Sequence, residues 1–455
     1  MLKWITGLVA GLLLANSSAA MDTAGDWHGE LNIQPDVSLP LVLHIGGSEP
    51  DWQVSLDSLN QGAFGIPGRA EKITDTRIKV KFAAIGAAYE AALENGELVG
   101  TFTQSGKSFA LTLARQSEEG KEKAKQAAAR PQHPEAPFPY TVEEVSFPHT
   151  SGAFEFAATL TLPNGKGPFP AAILVSGSGP QDRDESLMGH KPFLVIADHL
   201  TKAGVAVLRF DDRGTAQSGG TFAGSTIDDF STDVESAFQY LLTRDEIVPQ
   251  KIGLIGHSEG GMTAPLFAAR QPQVAFVVLL AGLGVDGTTL WAEQQRDMAE
   301  AYGLPNGESI YQAMRVFAGQ VIAGDSPQAI EQNLLSKGYD KATAQQYVKA
   351  VANDWGRSFF TYQPKQVLPK LTMPVLALNG EKDLQVAAVS NIGGMKAIFA
   401  NSGNQDVTLK TLPDLNHLFQ PAESGLPDEY GRINQTFAPQ ALAIISEWIQ
   451  QRVGD

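Results

Sequence analysis

Gly253-Leu254-Ile255-Gly256-His257-Ser258-Glu259-Gly260-Gly261-Met262 is an apolar run, a tight turn and the start of a helix. The turn has the form G-x-S-x-G at 256–260. Glycine two positions before and after Ser258 removes side chains that would collide if the turn forced the central residue into strained backbone angles. Such a turn points the serine hydroxyl away from the carboxyl edge of a sheet and aims the following N–H groups into the same space. A bare G-x-S-x-G arises by chance, and an ordinary strand-to-helix loop with an N-cap serine would share it. Its placement between the buried run 252–255 and a helical stretch over 262–270 makes Ser258 a candidate nucleophile.

Partners for that serine follow from chain order. In α/β sheets with this turn, the nucleophile precedes its acid and then its base. Of the 8 histidines in the chain, only His417 follows Ser258, in a loop just past the expected strand 407–412. His417 is therefore the expected base. Pro374-Val375-Leu376-Ala377-Leu378-Asn379-Gly380 reads as the preceding strand, and Glu381-Lys382-Asp383 as its loop. Asp383 is the expected acid. Glu381 lies closer to the strand, Asp406 precedes a strand, and Asp414 shares the histidine's own loop. An oxyanion needs two donors. The backbone N–H of Glu259 is one, and Ser178 in Ser176-Gly177-Ser178-Gly179-Pro180 is the best candidate for the other. A plain glycine-rich turn is the alternative for that loop. It lacks the lysine and the glycine spacing of phosphate-binding loops.

From Tyr140 onward, strands and helices alternate. Strands are expected at 154–162, 171–176, 205–210, 252–255, 274–280, 375–378 and 407–412, with helices at 193–203, 227–243 and 262–270. Runs such as AAILVS, AVLRF and FVVLLA are apolar on both faces, as central parallel strands covered by helices must be. Residues 138–455 therefore predict a doubly wound, mostly parallel α/β domain. Alternation stops over about 284–369, where Ile310, Met314, Phe317 and Val321, then Tyr347, Val351 and Trp355, recur at helical spacing. That stretch predicts a helical cap inserted between two strands. Its large side chains, Trp291, Met298, Tyr302, Met314, Phe317, Trp355, Phe359 and Phe360, are expected mostly in the cap core, with a few facing an acyl pocket.

Residues 22–115 read as β. Alternating runs at 31–33, 41–45, 52–56, 78–82, 98–103 and 109–113 are separated by turns such as Asn95-Gly96, predicting a small barrel or sandwich. Residues 116–137 are charged, then Pro-rich, and read as a linker. At the front, Lys3, the apolar stretch 5–15 and Ser18-Ala19-Ala20 predict a cleaved export signal over 1–20, with a periplasmic or secreted destination. An uncleaved anchor is the alternative, although no segment reaches the length of about 20 apolar residues that a span needs.

The 455-residue chain exceeds the roughly 100–200 residues usual for one domain. Its 43% hydrophobic content supports a sizeable core. A net charge of −16 offers no basic field for nucleic acid or anionic membranes. With no cysteine in the chain, disulfides and thiolate metal sites are excluded.

G-H-S-E-G-G at 256–261, S-G-S-G-P-Q-D-R-D at 176–184, F-D-D-R-G at 210–214 and G-E-K-D-L-Q-V at 380–386 together resemble bacterial α/β-hydrolase esterases of the EstD-like group. The resemblance implies an N-terminal β domain before the catalytic one, hydrolysis of short-chain carboxylic esters, and Ser258, Asp383 and His417 as a catalytic triad. One departure is Ala216, where R-G-x-G-x-S usually carries its second glycine; turn packing should feel it more than chemistry. Asp212 and Arg213 are expected to tie loops together by an ion pair. Gln181, Asp182, Arg183 and Asp184 follow the oxyanion loop and are candidates to line the site.

These expectations amount to acyl transfer from a small-molecule ester to water without metal or cofactor. A serine peptidase or aminoacyl-amide hydrolase would share the triad. An inert cell-envelope binding protein on the same fold is the alternative from a different class. Thioester hydrolysis is disfavoured by export away from coenzyme A. Oligomeric state is not legible.

Overall fold

The computed structural model describes residues 23–34, 37–47, 50–58, 63–104, 106–115 and 130–454. The expected export signal and most of the expected linker lie outside them. The chain divides into two compact units, Met1–Ala124 and Lys125–Asp455.

In the first unit, β1 (Gly25–Gln34), β2 (Val37–Gly46), β3 (Gln53–Ser58), β4 (Ala63–Thr74), β5 (Arg77–Phe82), β6 (Ala87–Glu94), β7 (Glu97–Gln104) and β8 (Lys107–Arg115) follow one another around an antiparallel barrel. Pairing of Trp27 with Arg115 and His28 with Ala114 closes it, which decides between the barrel and the sandwich. Period-two alternation sends Ile78, Val80 and Phe82 inward while Lys79 and Lys81 face out. Trp27, Leu43, Tyr89, Leu98 and Phe102 complete a filled interior, as expected of a barrel with this number of strands.

The second unit is built on an eight-stranded sheet ordered β16-β15-β14-β13-β11-β12-β10-β9. Its strands are β9 (Thr141–Pro148), β10 (Glu155–Leu162), β11 (Phe169–Val175), β12 (Ala206–Phe210), β13 (Ile247–His257), β14 (Val277–Leu280), β15 (Val375–Gly380) and β16 (Val407–Leu412). The strands from β12 through β16 along that order run parallel, and β10 and β9 add an antiparallel edge. Ile173, Leu254, Val277 and Leu376 are fully buried, each contributing about 1.5–3 kcal/mol by leaving water. Helices α1 (Pro192–Lys202), α2 (Ile227–Leu242) and α3 (Gly260–Ala268) cover the faces. A capping box between Thr226 and Asp229 fixes the start of α2.

After β14 the chain leaves the sheet for α4 (Gly287–Ala301), α5 (Gly307–Ala323), α6 (Pro327–Ser336), α7 (Lys341–Val351), α8 (Asp354–Thr361) and α9 (Pro364–Val367), then re-enters at β15. Asp286, Ser326, Asp340 and Asn353 cap four of these helices, each accepting a backbone N–H. Met314, Phe317, Phe359 and Phe360 fill the insertion's core as expected, whereas Tyr302 is exposed. Beyond β15 come α10 (Ala388–Phe399), α11 (Pro427–Tyr430) and α12 (Pro439–Val453). Among the described residues, no helix is long and apolar enough to cross a membrane.

Candidate active site

β13 delivers Ser258 at the carboxyl edge of the sheet. Its φ of +52° lies in the left-handed region, which costs a residue with a side chain on the order of 1–3 kcal/mol. The neighbours enforce it. A Cβ at Gly256 would stand 2.1 Å from the Gly260 carbonyl oxygen, and one at Gly260 would stand 2.1 Å from that of Val175. The Ser258 N–H donates to the Leu280 carbonyl at 2.9 Å, tying the turn to β14.

The loops after β15 and β16 are bonded to each other. Glu381 N–H donates to Leu412 O at 2.8 Å and Lys382 N–H to Leu415 O at 2.9 Å. Asn416 is buried, and its Oδ1 accepts the N–H groups of Leu418 and Gln420, each at 3.0 Å. His417 is thereby held with Nδ1 at 2.9 Å from Asp383 Oδ2. Asp383 is itself fixed: Oδ1 accepts the N–H of Gln385 and of Val386, each at 2.8 Å, and Oδ2 also accepts from Asn379 Nδ2 at 3.2 Å. A carboxylate at Nδ1 selects the tautomer that leaves the Nε2 lone pair free to take a proton. Asp414 instead pairs with Lys382, and Asp406 with Arg452.

Ser258, His417 and Ser178 line one cavity of about 90 Å³, together with Gln181, Leu187, Gln385 and Leu418. Ser258 Oγ makes no hydrogen bond among the described residues. Nucleophile and base commonly tighten only around substrate. The N–H groups of Glu259 and Ser178 likewise have no partner among the described residues, so both are unspent donors at this edge.

The loop after β11 is anchored by acidic side chains. Asp212 accepts from Ser176 Oγ at 2.6 Å and from the Gln181 N–H at 2.9 Å. Burial pushes its pKa up to about 8. Arg213 ties its loop to α2 by an ion pair, as expected, gripping Asp233 through Nε at 2.7 Å and Nη2 at 2.5 Å, while Asp212 ties loops through the hydrogen bonds just given. Of the four residues after the loop, only Gln181 reaches the cavity. Asp182 caps its own turn, Arg183 binds Asp211, and Asp184 pairs with Arg209 and Lys191.

Three buried side chains near Ser258, those of Glu185, His257 and Glu259, had no part assigned from the sequence. Glu185 Oε1 accepts the Gly177 N–H and lies 2.8 Å from each of Gly177 N and His257 Nδ1. His257 Nε2 lies 3.0 Å from the His417 carbonyl oxygen. His257 was legible as part of the turn; nothing in the sequence marked Glu185. The Glu259 side chain is buried, with Oε2 accepting from Trp355 Nε1 at 2.8 Å. Burial raises its pKa to about 7. Among the described residues, no group of three or more His, Cys, Asp or Glu is placed to hold a metal.

The chain is similar to several known proteins. Esterase EstD of Thermotoga maritima is 26% identical over 273 residues, covering 60% of this chain and 60% of its own length. A 2-hydroxy-6-oxononadienedioate/2-hydroxy-6-oxononatrienedioate hydrolase of Cupriavidus pinatubonensis is 25% identical over 217 residues, covering 46% of this chain and 70% of its own. Among solved structures, an esterase of Pyrococcus furiosus is 15% identical with a TM-score of 0.45, covering 69% of this chain and 92% of that one. The family Hydrolase_4, described as "Serine aminopeptidase, S33", matches residues 192–421, a span that contains the serine turn and both loops facing it. The chain belongs to the Hydrolase_4 family of α/β-hydrolases.

Proposed function

We propose that this protein is an exported serine hydrolase that cleaves small carboxylic esters with short acyl groups. Ser258 attacks the ester carbonyl while His417 Nε2 takes its proton, and Asp383 orients the ring and stabilises its charged form. The N–H groups of Glu259 and Ser178 receive the oxyanion, each worth about 3 kcal/mol of barrier reduction. His417 then protonates the leaving alcohol and activates the water that frees the acid. The observation that carries this reading is the 2.9 Å contact between Asp383 and His417, on a cavity that His417 shares with a strained Ser258. The small volume of that cavity, about 90 Å³, supports a short acyl group. The name of the Thermotoga relative supports esters. Export rests on the composition of residues 1–20.

The description of the matching family favours a second reading, an aminopeptidase. Nitrophenyl esters of increasing acyl length, assayed beside aminoacyl nitroanilides, separate the two. Ester cleavage that falls as the chain lengthens supports the first; preference for the anilides supports the second.

A further inference from the structure

Behind Ser258 lies a second carboxylate–histidine pair. Glu185 and His257 are both buried. Both nitrogens of the His257 ring face acceptors: Glu185 Oε1 at 2.8 Å from Nδ1 and the His417 carbonyl oxygen at 3.0 Å from Nε2. A neutral imidazole has one N–H and would leave one of these contacts without a proton, whereas an imidazolium satisfies both. The same Oε1 atom accepts the Gly177 N–H. An oxygen already receiving a hydrogen bond is poorly suited to carry the proton itself, so the charge separation runs from Glu185 to His257. A second cavity against His257 is apolar apart from Glu185, with Phe193, Ile196, Leu280 and Phe437 among its walls. The charged and titratable groups facing it are Glu185, His417 and Asp383.

We propose that Glu185 and His257 form a buried carboxylate–imidazolium pair that positions the oxyanion loop and the His417 loop around Ser258. The pair joins three segments. Through Gly177 it holds the loop that carries Ser178, through His257 it holds the residue before the nucleophile, and through the His417 carbonyl it holds the base. A Cβ at Gly177 would lie 3.3 Å from Glu185 Oε1, closer than an ordinary contact, and 3.4 Å from Ser258 Cβ. The His257 and His417 rings pack at 4.8 Å between centroids. A fixed cation next to the nucleophile also favours the negative charge that develops there. Burial opposes a charged ring, and the Glu185 carboxylate overcomes it, so His257 titrates above an ordinary histidine. Glu185 and His257 are positioning residues, and their catalytic consequence rests on the function proposed above.

Two measurements on the full chain test this. In ¹⁵N-histidine-labelled protein, with the His257 signals assigned by their loss in H257Q, both ring nitrogens should have imidazolium shifts. They should hold them across the window of about pH 5 to 8 in which an ordinary histidine titrates. Separately, E185Q should lower kcat about 100-fold with KM little changed, as expected when reacting groups are misplaced by a fraction of an ångström to an ångström. If E185Q fails to fold, the doubly neutral E185Q/H257Q replaces it with the same expected loss. A neutral, singly protonated His257 ring in the wild type overturns the ion pair. A kcat equal to wild type in a folded variant overturns the positioning role, while esterase activity and phosphonate labelling of the wild type leave the proposed function standing. A wild type inert to both esters and phosphonate overturns that function and with it the catalytic consequence, and the ring titration still decides the pair.

Discussion

Trp355 Nε1 stands 2.8 Å from Glu259 Oε2, so a helix of the cap is hydrogen-bonded to the residue that follows Ser258. Ser358, one turn further along the same helix, accepts the Ile227 N–H at 3.1 Å. These bonds fasten α8 to the sheet domain. W355F keeps an aromatic ring but leaves a buried carboxyl without its donor. Loss of a partner to a buried polar group costs about 1–3 kcal/mol. Denaturant unfolding of W355F should show a loss of that size, larger above pH 7 than below, because a charged acceptor makes the stronger bond. An unchanged midpoint would remove the bond from the account.

Glu259 also sets a pH dependence with a definite sign. Burial raises its pKa from 4.5 to about 7, so between those values the folded state holds a proton that the unfolded state releases. The stability contributed by the neutral carboxyl is complete below the unfolded value and is lost as pH rises through about 7. E259Q keeps an acceptor for Trp355 and cannot ionise. Wild-type stability relative to E259Q should therefore fall with rising pH, by up to about 3 kcal/mol. A difference that rises with pH would contradict the assignment.

Asp383 accepts from two backbone N–H groups, Asn379 and His417. D383N presents an amide in place of the acceptor that fixes the His417 tautomer. If Asp383 is the acid of the proposed mechanism, kcat on a short-chain ester should drop by about 10⁴ with the fold retained by circular dichroism. Retention of a tenth or more of wild-type kcat would move the acid elsewhere.

Ala216 occupies a left-handed backbone position, with φ +48°. An L-residue there carries a strain of roughly 1–2 kcal/mol, which glycine avoids at some entropic cost of its own. A216G should raise stability by up to about 1 kcal/mol and leave kcat unchanged. Destabilisation by A216G would show that the Ala216 methyl group is needed for packing.

The catalytic half of the fold was legible because its strands are apolar on both faces and its motifs sit at strand ends, where chain order constrains the partners of Ser258. The barrel was read less completely. β6, Ala87–Glu94, is rich in Ala and Glu, which favour helix in isolation. What makes it a strand is Tyr89, buried in the barrel with its hydroxyl donating to the Leu98 carbonyl at 2.8 Å. β4 carries Gly65, Pro67 and Gly68 and resembles a turn; Gly68 is needed because a Cβ would press within 3.1 Å of Phe82, Val80 and Val54. Glu185 was invisible for a related reason. It lies 72 residues before its partner His257, and no local spacing marks a contact made only by folding.

The most direct measurement is labelling by a serine-directed fluorophosphonate, comparing wild type with S258A. The account predicts stoichiometric labelling of the wild type at Ser258, located by peptide mass spectrometry, with labelling and esterase activity both lost in a folded S258A. Labelling at another serine, or an S258A variant that still hydrolyses esters at the wild-type rate, would contradict it.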